Sequence, residues 1–273
     1  MDHQKKAAML IEEALPYLQK FHGQIVVIKY GGKAMVNEDL QHSVMNDIAF
    51  LKTVGMLPVV VYGGGPEISN EMEKRGLTPR FVNGLRVTDE KTVKIIKKIF
   101  TQIGVRIQDA LSLYNVKSKT VMECFDVRQK DEALGFVGEV TSVHAKKIMR
   151  ILRSQKIPII APMGKLGRQT YNLNADTAAT EVAIALKAAK LTILTDVDGV
   201  INKGIMVSTL SIKEAKRLIS KEVITKGMIP KVDACIQAVQ AGCKKAHLLS
   251  GTTPHSLLFE IFTEKGIGTE IVK

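Results

Sequence analysis

The chain has 273 residues, and 39 Lys and Arg against 27 Asp and Glu give it a formal net charge of +12. A hydrophobic content of 45% excludes an intrinsically disordered chain, and no apolar run approaches the roughly 20 residues that a membrane-spanning helix needs. Basic residues never run beyond pairs, and aromatic residues make up 5% with no Trp, so the composition disfavours a nucleic-acid-binding surface.

The first predicted element is an amphipathic helix that stands before any strand. Apolar residues recur at helical spacing at Leu10, Ile11, Ala14, Leu18 and Phe21. Pro16 interrupts this pattern and is expected to kink the helix. We interpret residues 1–20 as an appended arm whose apolar stripe needs a partner. The alternative is an amphipathic helix that packs on the chain's own core.

Buried strands and amphipathic helices alternate along the rest of the chain. Continuous apolar runs predict strands at 25–28, 57–61, 157–161, 191–195 and 246–249. Helices are predicted at 39–54, 90–113, 145–154, 174–187, 211–219, 230–241 and 254–263. Shorter strands are predicted at 85–88, 119–125, 135–143 and 269–272, with a glycine-rich loop at 164–167. This alternation predicts an α/β protein with a mainly parallel sheet covered on both faces.

The cysteines and the N-terminus indicate a cellular compartment. Cys124, Cys235 and Cys243 form no C-x-x-C pair, which disfavours a disulfide framework or a zinc site. The polar first residues lack an apolar signal core. We therefore expect a cytoplasmic protein.

Glycine-rich segments follow the first two buried strands. Gly31 and Gly32 follow the first strand, and 63–65 is a run of three glycines after the second. Ligands of open α/β sheets bind beyond the carboxyl ends of the strands, where glycine lets backbone N–H groups approach an anion. Two such loops indicate a phosphate or carboxylate site, although glycine also serves ordinary turns. The chain has no Walker motif and no G-x-G-x-x-G fingerprint.

Three basic residues are candidates for contact with an anion. Lys29 is either a surface lysine or a cation aimed at a phosphoryl group. Arg86 is either part of a surface ion pair or a bidentate ligand for a carboxylate. Lys231 begins a predicted helix, where the helix dipole disfavours a cation, and this hints at an anionic ligand. The +12 charge likewise fits a dispersed solvated surface or the attraction of an anionic substrate.

Six segments occur in the order seen in the N-acetylglutamate kinases of the amino acid kinase family, which the chain resembles over essentially its whole length. They are 29–32 (Lys-Tyr-Gly-Gly), 63–65 (Gly-Gly-Gly), 84–89 (Gly-Leu-Arg-Val-Thr-Asp), 172–176 (Asn-Leu-Asn-Ala-Asp), 195–199 (Thr-Asp-Val-Asp-Gly) and 227–231 (Gly-Met-Ile-Pro-Lys). The segment 84–89 points to the acetylglutamate branch, whereas 29–32 and 195–199 resemble the wider family.

The resemblance implies a three-layer αβα sandwich with an open, mainly parallel sheet. Its amino-acid lobe would span 21–165 and its nucleotide lobe 166–273. The implied reaction is ATP-dependent phosphorylation of the γ-carboxylate of N-acetyl-L-glutamate in arginine biosynthesis. Mg²⁺ would be held mainly by the nucleotide, with no metal ligands assigned on the chain.

The resemblance also implies a role for each site residue. Lys29 and Lys231 would contact the transferring phosphoryl group, and Asp176 would hold the two lysines in place. The remaining roles are backbone N–H donors at Gly31, Gly32 and Gly64, a substrate seat at Gly65, a grip on the α-carboxylate by Arg86 and Asn172, and a nucleotide site lined by Thr195 and Asp196.

The arm and the C-terminal segment resemble those of arginine-inhibited members. This likeness implies a hexamer built as a trimer of dimers and feedback inhibition by L-arginine, with Glu260 as a contact to the effector and Gly266 shaping its loop.

No nucleic-acid or membrane partner is expected.

Two other functions stay open on the sequence. One is another kinase of the family, acting on glutamate, aspartate, carbamate or a nucleoside monophosphate. The other is a non-catalytic protein on the same fold that senses arginine or binds nucleic acid. Lys29, Asp176 and Lys231 are all present, and this favours a catalyst.

Overall fold

The computed structural model describes residues 3–262 and 266–273, with side chains from residue 12 onward except at Lys226. Residues 1, 2 and 263 of the predicted helices, and the side chains of Leu10 and Ile11, lie outside this description. The helices are α1 (His3–Phe21), α2 (Glu38–Thr53), α3 (Gly65–Lys74), α4 (Glu90–Ser112), α5 (Ala145–Arg153), α6 (Ala175–Ala185), α7 (Ile212–Ser220), α8 (Ile229–Gln240) and α9 (Ser256–Phe262).

The main strands confirm the predicted positions to within a few residues. The strands are β1 (Ile25–Tyr30), β2 (Leu57–Tyr62), β3 (Phe81–Val82), β4 (Leu85–Arg86), β5 (Ser118–Val121), β6 (Phe125–Gln129), β7 (Gly138–Val143), β8 (Ile157–Ile160), β9 (Met163–Leu166), β10 (Gln169–Asn172), β11 (Lys190–Thr195), β12 (Ile201–Asn202), β13 (Ile205–Met206), β14 (Thr209–Ser211), β15 (Lys245–Ser250) and β16 (Thr269–Val272). Short 3-10 turns lie at Gly32–Met35, Glu132–Leu134 and Lys226–Met228.

The main sheet is open and mostly parallel, as predicted. Within the described residues its order is β14-β16-β15-β11-β1-β2-β8-β5. The strands from β15 to β5 pair in parallel, and β16 joins β15 antiparallel. The carboxyl ends of the central strands therefore meet at one edge of the sheet, where α/β proteins bind ligands.

The central strands are buried on both faces because successive side chains of a strand point in opposite directions. In β1, Val27 enters the apolar cluster on the side of α5, α6, α7 and α8. Its neighbours Val26 and Ile28 enter the cluster on the side of α2, α4 and α9. Helices on both faces make the three-layer αβα sandwich that the sequence predicts.

A second sheet was missed by the sequence analysis. Its order is β10-β9-β6-β7. The prediction of a loop at 164–167 was wrong there, since Met163–Leu166 pairs antiparallel with Gln169–Asn172. The turn between these strands is Gly167 and Arg168, and Gly167 has φ of 59°. This hairpin crosses the predicted boundary between residues 165 and 166, and the division into two lobes stays a prediction.

The arm is helical through Pro16. Its C-terminal residue Phe21 packs against the cluster that contains α2 and α9, whereas the side chain of Leu15 is half exposed. Within the described chain, no helix is long and apolar enough to cross a membrane.

The core of α4 offers a test of the fold. Ile96 is fully buried on this helix, and its neighbour Lys97 is exposed. We expect Ile96→Ala to lower the free energy of unfolding by about 2–5 kcal/mol, because it removes buried methyl groups and leaves a cavity. Lys97→Ala is the matched control and should change that free energy by at most about 0.5 kcal/mol. Urea denaturation of both variants measures the difference, and equal losses would contradict the described packing of α4.

Candidate active site

The two glycine loops lie side by side because their strands are neighbours. β1 and β2 pair in register from Ile25 with Leu57 to Tyr30 with Tyr62. The Gly63 N–H donates to the carbonyl oxygen of Tyr30 at 2.7 Å. Both loops open into a cavity of about 260 Å3. Of the residues predicted for the site, the cavity is lined by Lys29, Gly31, Gly32, Gly64, Gly65, Arg86, Asn172 and Asp176.

A buried carboxylate that lines this cavity, that of Asp176, lies between two lysines, of which Lys29 also lines the cavity. The Nζ of Lys29 is 3.1 Å from Oδ1 of Asp176, and the Nζ of Lys231 donates to Oδ2 of Asp176 at 2.7 Å. Lys29 and Asp176 are each 8% exposed. Two positive charges against one negative charge leave the group with a net positive charge facing the cavity, which favours an anionic ligand.

Three elements bring these side chains together. Lys29 is the fifth residue of β1 and points to the face that carries α6 and α8. Asp176 lies in the first turn of α6, whose N-terminus is capped by Asn174 through bonds to the N–H groups of Asp176 and Thr177. Lys231 follows Pro230 in the first turn of α8. The ion pair with Asp176 offsets the unfavourable helix dipole at that position.

The carboxyl of Asp176 is held ionised by its partners. Burial acts to raise its pKa, but the charges and hydrogen bonds of Lys29 and Lys231 outweigh burial and hold the pKa below its usual range. A carboxylate that stays charged keeps both ammonium groups in place.

Close contacts explain the glycines of the two loops. A Cβ at Gly31 would lie 3.1 Å from Nζ of Lys29, and one at Gly64 would lie 2.8 Å from Cδ1 of Ile103. Gly32 has φ of 69° and would place a Cβ 2.6 Å from Oδ1 of Asp196. A side chain at one of these positions would therefore have to displace a neighbouring side chain.

The guanidinium of Arg86 is buried and anchored on α3. Its Nη2 donates to the carbonyl oxygen of Gly65 at 2.9 Å and to Oγ of Ser69 at 2.8 Å. Its Cζ lies 4.7 Å from the ring centroid of Phe81, a cation–π arrangement. Burial lowers the pKa of Arg86. These contacts fix the group at the wall of the cavity.

Asn172 lies at the end of β10, in the sheet that the sequence analysis missed. Its Nδ2 donates to Oγ1 of the buried Thr88 at 3.4 Å. Thr88 follows Arg86 by two residues, so this bond links the two residues assigned to the substrate carboxylate.

Thr195 ends β11, the strand on the other side of β1, and Asp196 follows it. Thr195 is buried, and its carbonyl oxygen accepts from the Gly251 N–H at 2.7 Å. Oδ1 of Asp196 accepts from the Lys33 N–H at 2.8 Å. Both residues therefore lie beside the first glycine loop. No group of three or more His, Cys, Asp or Glu side chains able to hold a metal ion is found among residues 3–262 and 266–273.

Glu260 and Gly266 lie elsewhere, in a larger cavity of about 900 Å3. Oε1 of Glu260 is 2.5 Å from Nδ1 of His247 and 3.6 Å from Nζ of Lys190. Oε2 of Glu260 accepts from the Ile267 N–H at 3.1 Å. Lys190 opens β11 and His247 is in the first half of β15, so this cavity is at the opposite edge of the sheet from the glycine loops.

Burial shapes the charges in this second cavity. It lowers the pKa of Lys190 to about 8, although Glu260 opposes the shift. Burial also lowers the pKa of His247, although Glu260 opposes the shift. At Glu260 burial acts to raise the pKa, but His247 and Lys190 outweigh it and bring the value to about 2.

Sequence reasoning missed several contact residues. Ser69, Phe81 and Thr88 support the substrate wall, and Lys190 and His247 surround Glu260. The helical spacing of α3 places Ser69 one turn after Gly65, which is a weak signal. The other partners come from distant parts of the chain and carry no local pattern.

Comparisons with known proteins identify the family of the chain. The model of the family described as "Amino acid kinase family" matches residues 24–250. Proteins named acetylglutamate kinase include those of Desulforamulus reducens, 43% identical over 98% of both chains, Aquifex aeolicus, 41% identical over 97% of both, and Methanococcus vannielii, 43% identical over 100% of both.

Solved structures share the fold. N-acetylglutamate synthase from Neisseria gonorrhoeae, complexed with coenzyme A and N-acetyl-glutamate, gives a TM-score of 0.90 at 27% identity. That match covers 97% of this chain and 63% of the synthase chain. Giardia carbamate kinase gives a TM-score of 0.72 at 20% identity, over 92% of this chain and 99% of that one, a likeness of fold alone. The match to the family model and the full-length relatives show that the chain belongs to the amino acid kinase family.

Proposed function

We propose that the chain transfers the γ-phosphoryl group of ATP to the γ-carboxylate of N-acetyl-L-glutamate, a step of arginine biosynthesis in the cytoplasm. The observation that carries the proposal is the pair Lys29 and Lys231 on either side of Asp176. Lys29 and Asp176 line a cavity that Arg86 also lines. Full-length relatives named acetylglutamate kinase support the choice of acceptor.

The reaction brings two anions together, so its main requirements are charge neutralisation and alignment. A carboxylate oxygen of the acceptor attacks the γ-phosphorus, and the bond from phosphorus to the ADP oxygen breaks. The acceptor is already ionised near neutral pH and needs no general base. Lys29 and Lys231 stabilise the charge that develops on the phosphoryl oxygens, and Asp176 keeps them aligned.

The glycine loops complete the phosphoryl site. The backbone N–H groups of Gly31, Gly32 and Gly64 donate to phosphoryl oxygens, and Gly65 begins the helix against which the amino acid is seated. N–H donors that are fixed before the reaction cost no reorganisation when the transition state forms.

Arg86 and Asn172 bind the α-carboxylate of N-acetyl-L-glutamate. Nη2 of Arg86 is held by Gly65 and Ser69, Nη1 donates to Sδ of Met72 at 3.3 Å, and the side chain lines the cavity. A fixed guanidinium can form paired, charge-assisted hydrogen bonds to a planar carboxylate. It would bind an uncharged group at the same position more weakly.

Thr195 and Asp196 line the nucleotide site, in a lobe that spans 166–273, and the amino acid binds in a lobe that spans 21–165. Mg²⁺ enters bound to the phosphates of ATP and neutralises part of their charge. Since Oδ1 of Asp196 is engaged by the Lys33 N–H, the nucleotide holds the ion mainly through its own oxygens.

The second cavity binds L-arginine as a feedback inhibitor. Glu260 supplies a carboxylate for the guanidinium, and Gly266, with φ of 58°, shapes the loop beside it. Tyr17 of the arm lines the same cavity. The arm thus joins the inhibitor site to the assembly, in which α1 helices interlace three dimers into a hexamer.

One experiment tests the reaction directly. The pure protein is incubated with Mg-ATP and N-acetylglutamate, glutamate, N-acetylaspartate or aspartate, and the acyl phosphate is trapped with hydroxylamine. We expect product with N-acetylglutamate and little with the others. Equal or greater product from another acceptor would overturn the assignment of substrate.

Removal of one lysine tests the charge arrangement. We expect Lys231→Ala to lower kcat roughly 100- to 1,000-fold, because one preorganised charge stabiliser is lost. Lys213→Ala, an exposed lysine on α7, is the control and should leave kcat unchanged. Near-normal turnover of Lys231→Ala in the hydroxylamine assay would exclude the role of Lys231.

Removal of the guanidinium tests substrate binding. We expect Arg86→Ala to raise KM for N-acetylglutamate roughly 10- to 100-fold, the cost of losing charged hydrogen bonds. KM for ATP should not change. Arg86→Lys keeps the charge but loses the planar fork, and we expect it to restore little. A selective rise of KM for ATP in initial-rate measurements would contradict the assignment.

The arm can be tested by deletion of residues 1–20. We expect light scattering to show dimers in place of hexamers, and arginine inhibition to be lost while activity without arginine is retained. Leu15→Asp, at a half-exposed apolar position of α1, should have the same effect. Gln19→Asp adds the same charge at an exposed position of that helix and serves as control. An unchanged hexamer with intact inhibition after deletion would reject this part of the proposal.

A further inference from the structure

The first glycine loop is a compact turn, residues 31–35, which we call the glycine turn. It contains Gly31 and the 3-10 turn Gly32–Met35. If the proposed function holds, N–H groups of this turn define where the phosphoryl oxygens lie. Displacements of about 1 Å at such groups are expected to cost large factors in rate. What fixes the turn therefore contributes to the reaction.

Tyr30 holds the glycine turn from the side of α2 and α4. Its side chain points away from that of Lys29, because neighbouring residues of β1 face opposite sides of the sheet. Its hydroxyl donates to the carbonyl oxygen of Ala34 at 2.9 Å, and both residues are buried. The Tyr30 carbonyl oxygen also accepts from the Gly63 N–H. One residue thus ties together the two glycine loops.

Asp196 holds the same turn from the side of β11. Its Oδ1 accepts from the Lys33 N–H at 2.8 Å, and a Cβ on Gly32 would lie 2.6 Å from that oxygen. The Lys33 N–H belongs to the backbone of the turn itself, so this bond ties the turn to the carboxyl end of β11.

We propose that Tyr30 and Asp196 are positioning residues for phosphoryl transfer, which fix the glycine turn from opposite sides without contacting the reacting atoms. Their bonds come from two neighbouring strands and meet on consecutive residues, Lys33 and Ala34. The turn therefore cannot shift along the strand direction without breaking one of them. Loss of either bond is expected to loosen the N–H donors and to slow the chemical step, with little effect on binding of the amino acid.

The chain offers a matched control for the tyrosine. Tyr62 is the register partner of Tyr30 in β2, and it is equally buried. Its hydroxyl donates to the carbonyl oxygen of Phe100 in α4 at 2.7 Å, away from the glycine turn. Tyr62→Phe removes the same kind of buried hydrogen bond. It should therefore lower the melting temperature as Tyr30→Phe does.

The test compares these variants under saturating Mg-ATP and N-acetylglutamate. We expect Tyr30→Phe to lower kcat about 10-fold with KM for N-acetylglutamate unchanged, and Tyr62→Phe to keep kcat. Asp196→Ala should lower kcat about as much, and Asp196→Asn should recover most of it, since its amide oxygen still accepts from Lys33. Equal kcat in the two tyrosine variants, or no recovery by Asp196→Asn, would overturn the proposal.

Hydrogen exchange separates this proposal from the proposed function. We expect the Lys33 amide to exchange faster in Tyr30→Phe and Asp196→Ala than in the unmodified protein and in Tyr62→Phe. Unchanged exchange at Lys33 would overturn the positioning role whatever the activity. Absence of acyl phosphate from the unmodified protein would instead refute the reaction.

Discussion

Two ammonium groups share one buried carboxylate, and the rest of the site depends on this arrangement. Removing an ion from water costs several kcal/mol even after relaxation, so neither Lys29 nor Lys231 would stay beside the other without Asp176. The cost is offset because the carboxylate bridges both at 3.1 and 2.7 Å. The bridge requires β1, α6 and α8 to converge, which couples the catalytic charge to the packing of one face of the sheet.

The two ends of the parallel strands border different cavities. Because the central strands are parallel, their carboxyl ends collect the glycine loops, and the amino ends of β11 and β15 border the cavity around Glu260. Side chains alternate between the two faces of the sheet along β1, so that Lys29 faces α6 and α8 and Tyr30 faces α2 and α4. Adjacent residues of one strand thereby supply a charge to the phosphoryl site and a tether to the loop around it.

The extent to which the sequence predicts this structure follows from how local each signal is. The glycine loops and Lys29 are predictable, since strand ends in an α/β sheet carry ligands and the residues are contiguous. The partnership of Lys29 with Asp176 and Lys231 is not local, and only the resemblance to a family indicates it. The hairpin of β9 and β10 in the second sheet was missed because the segment 164–167 has the glycine-rich composition of a loop. The pairing of His247 with Glu260 joins a strand and a helix that no periodicity relates.

The position of β16 has a consequence for how the chain reaches this state during synthesis. Among the residues that the structure describes, β14 pairs only with β16 in the main sheet, and β16 follows it much later in the chain, after α7, α8, β15 and α9. Until β16 leaves the ribosome, β14 has no neighbour and the edge of β15 is open. An unpaired edge invites pairing with other chains. A chain released before β16 is made would therefore expose this edge to pairing with other chains and to aggregation.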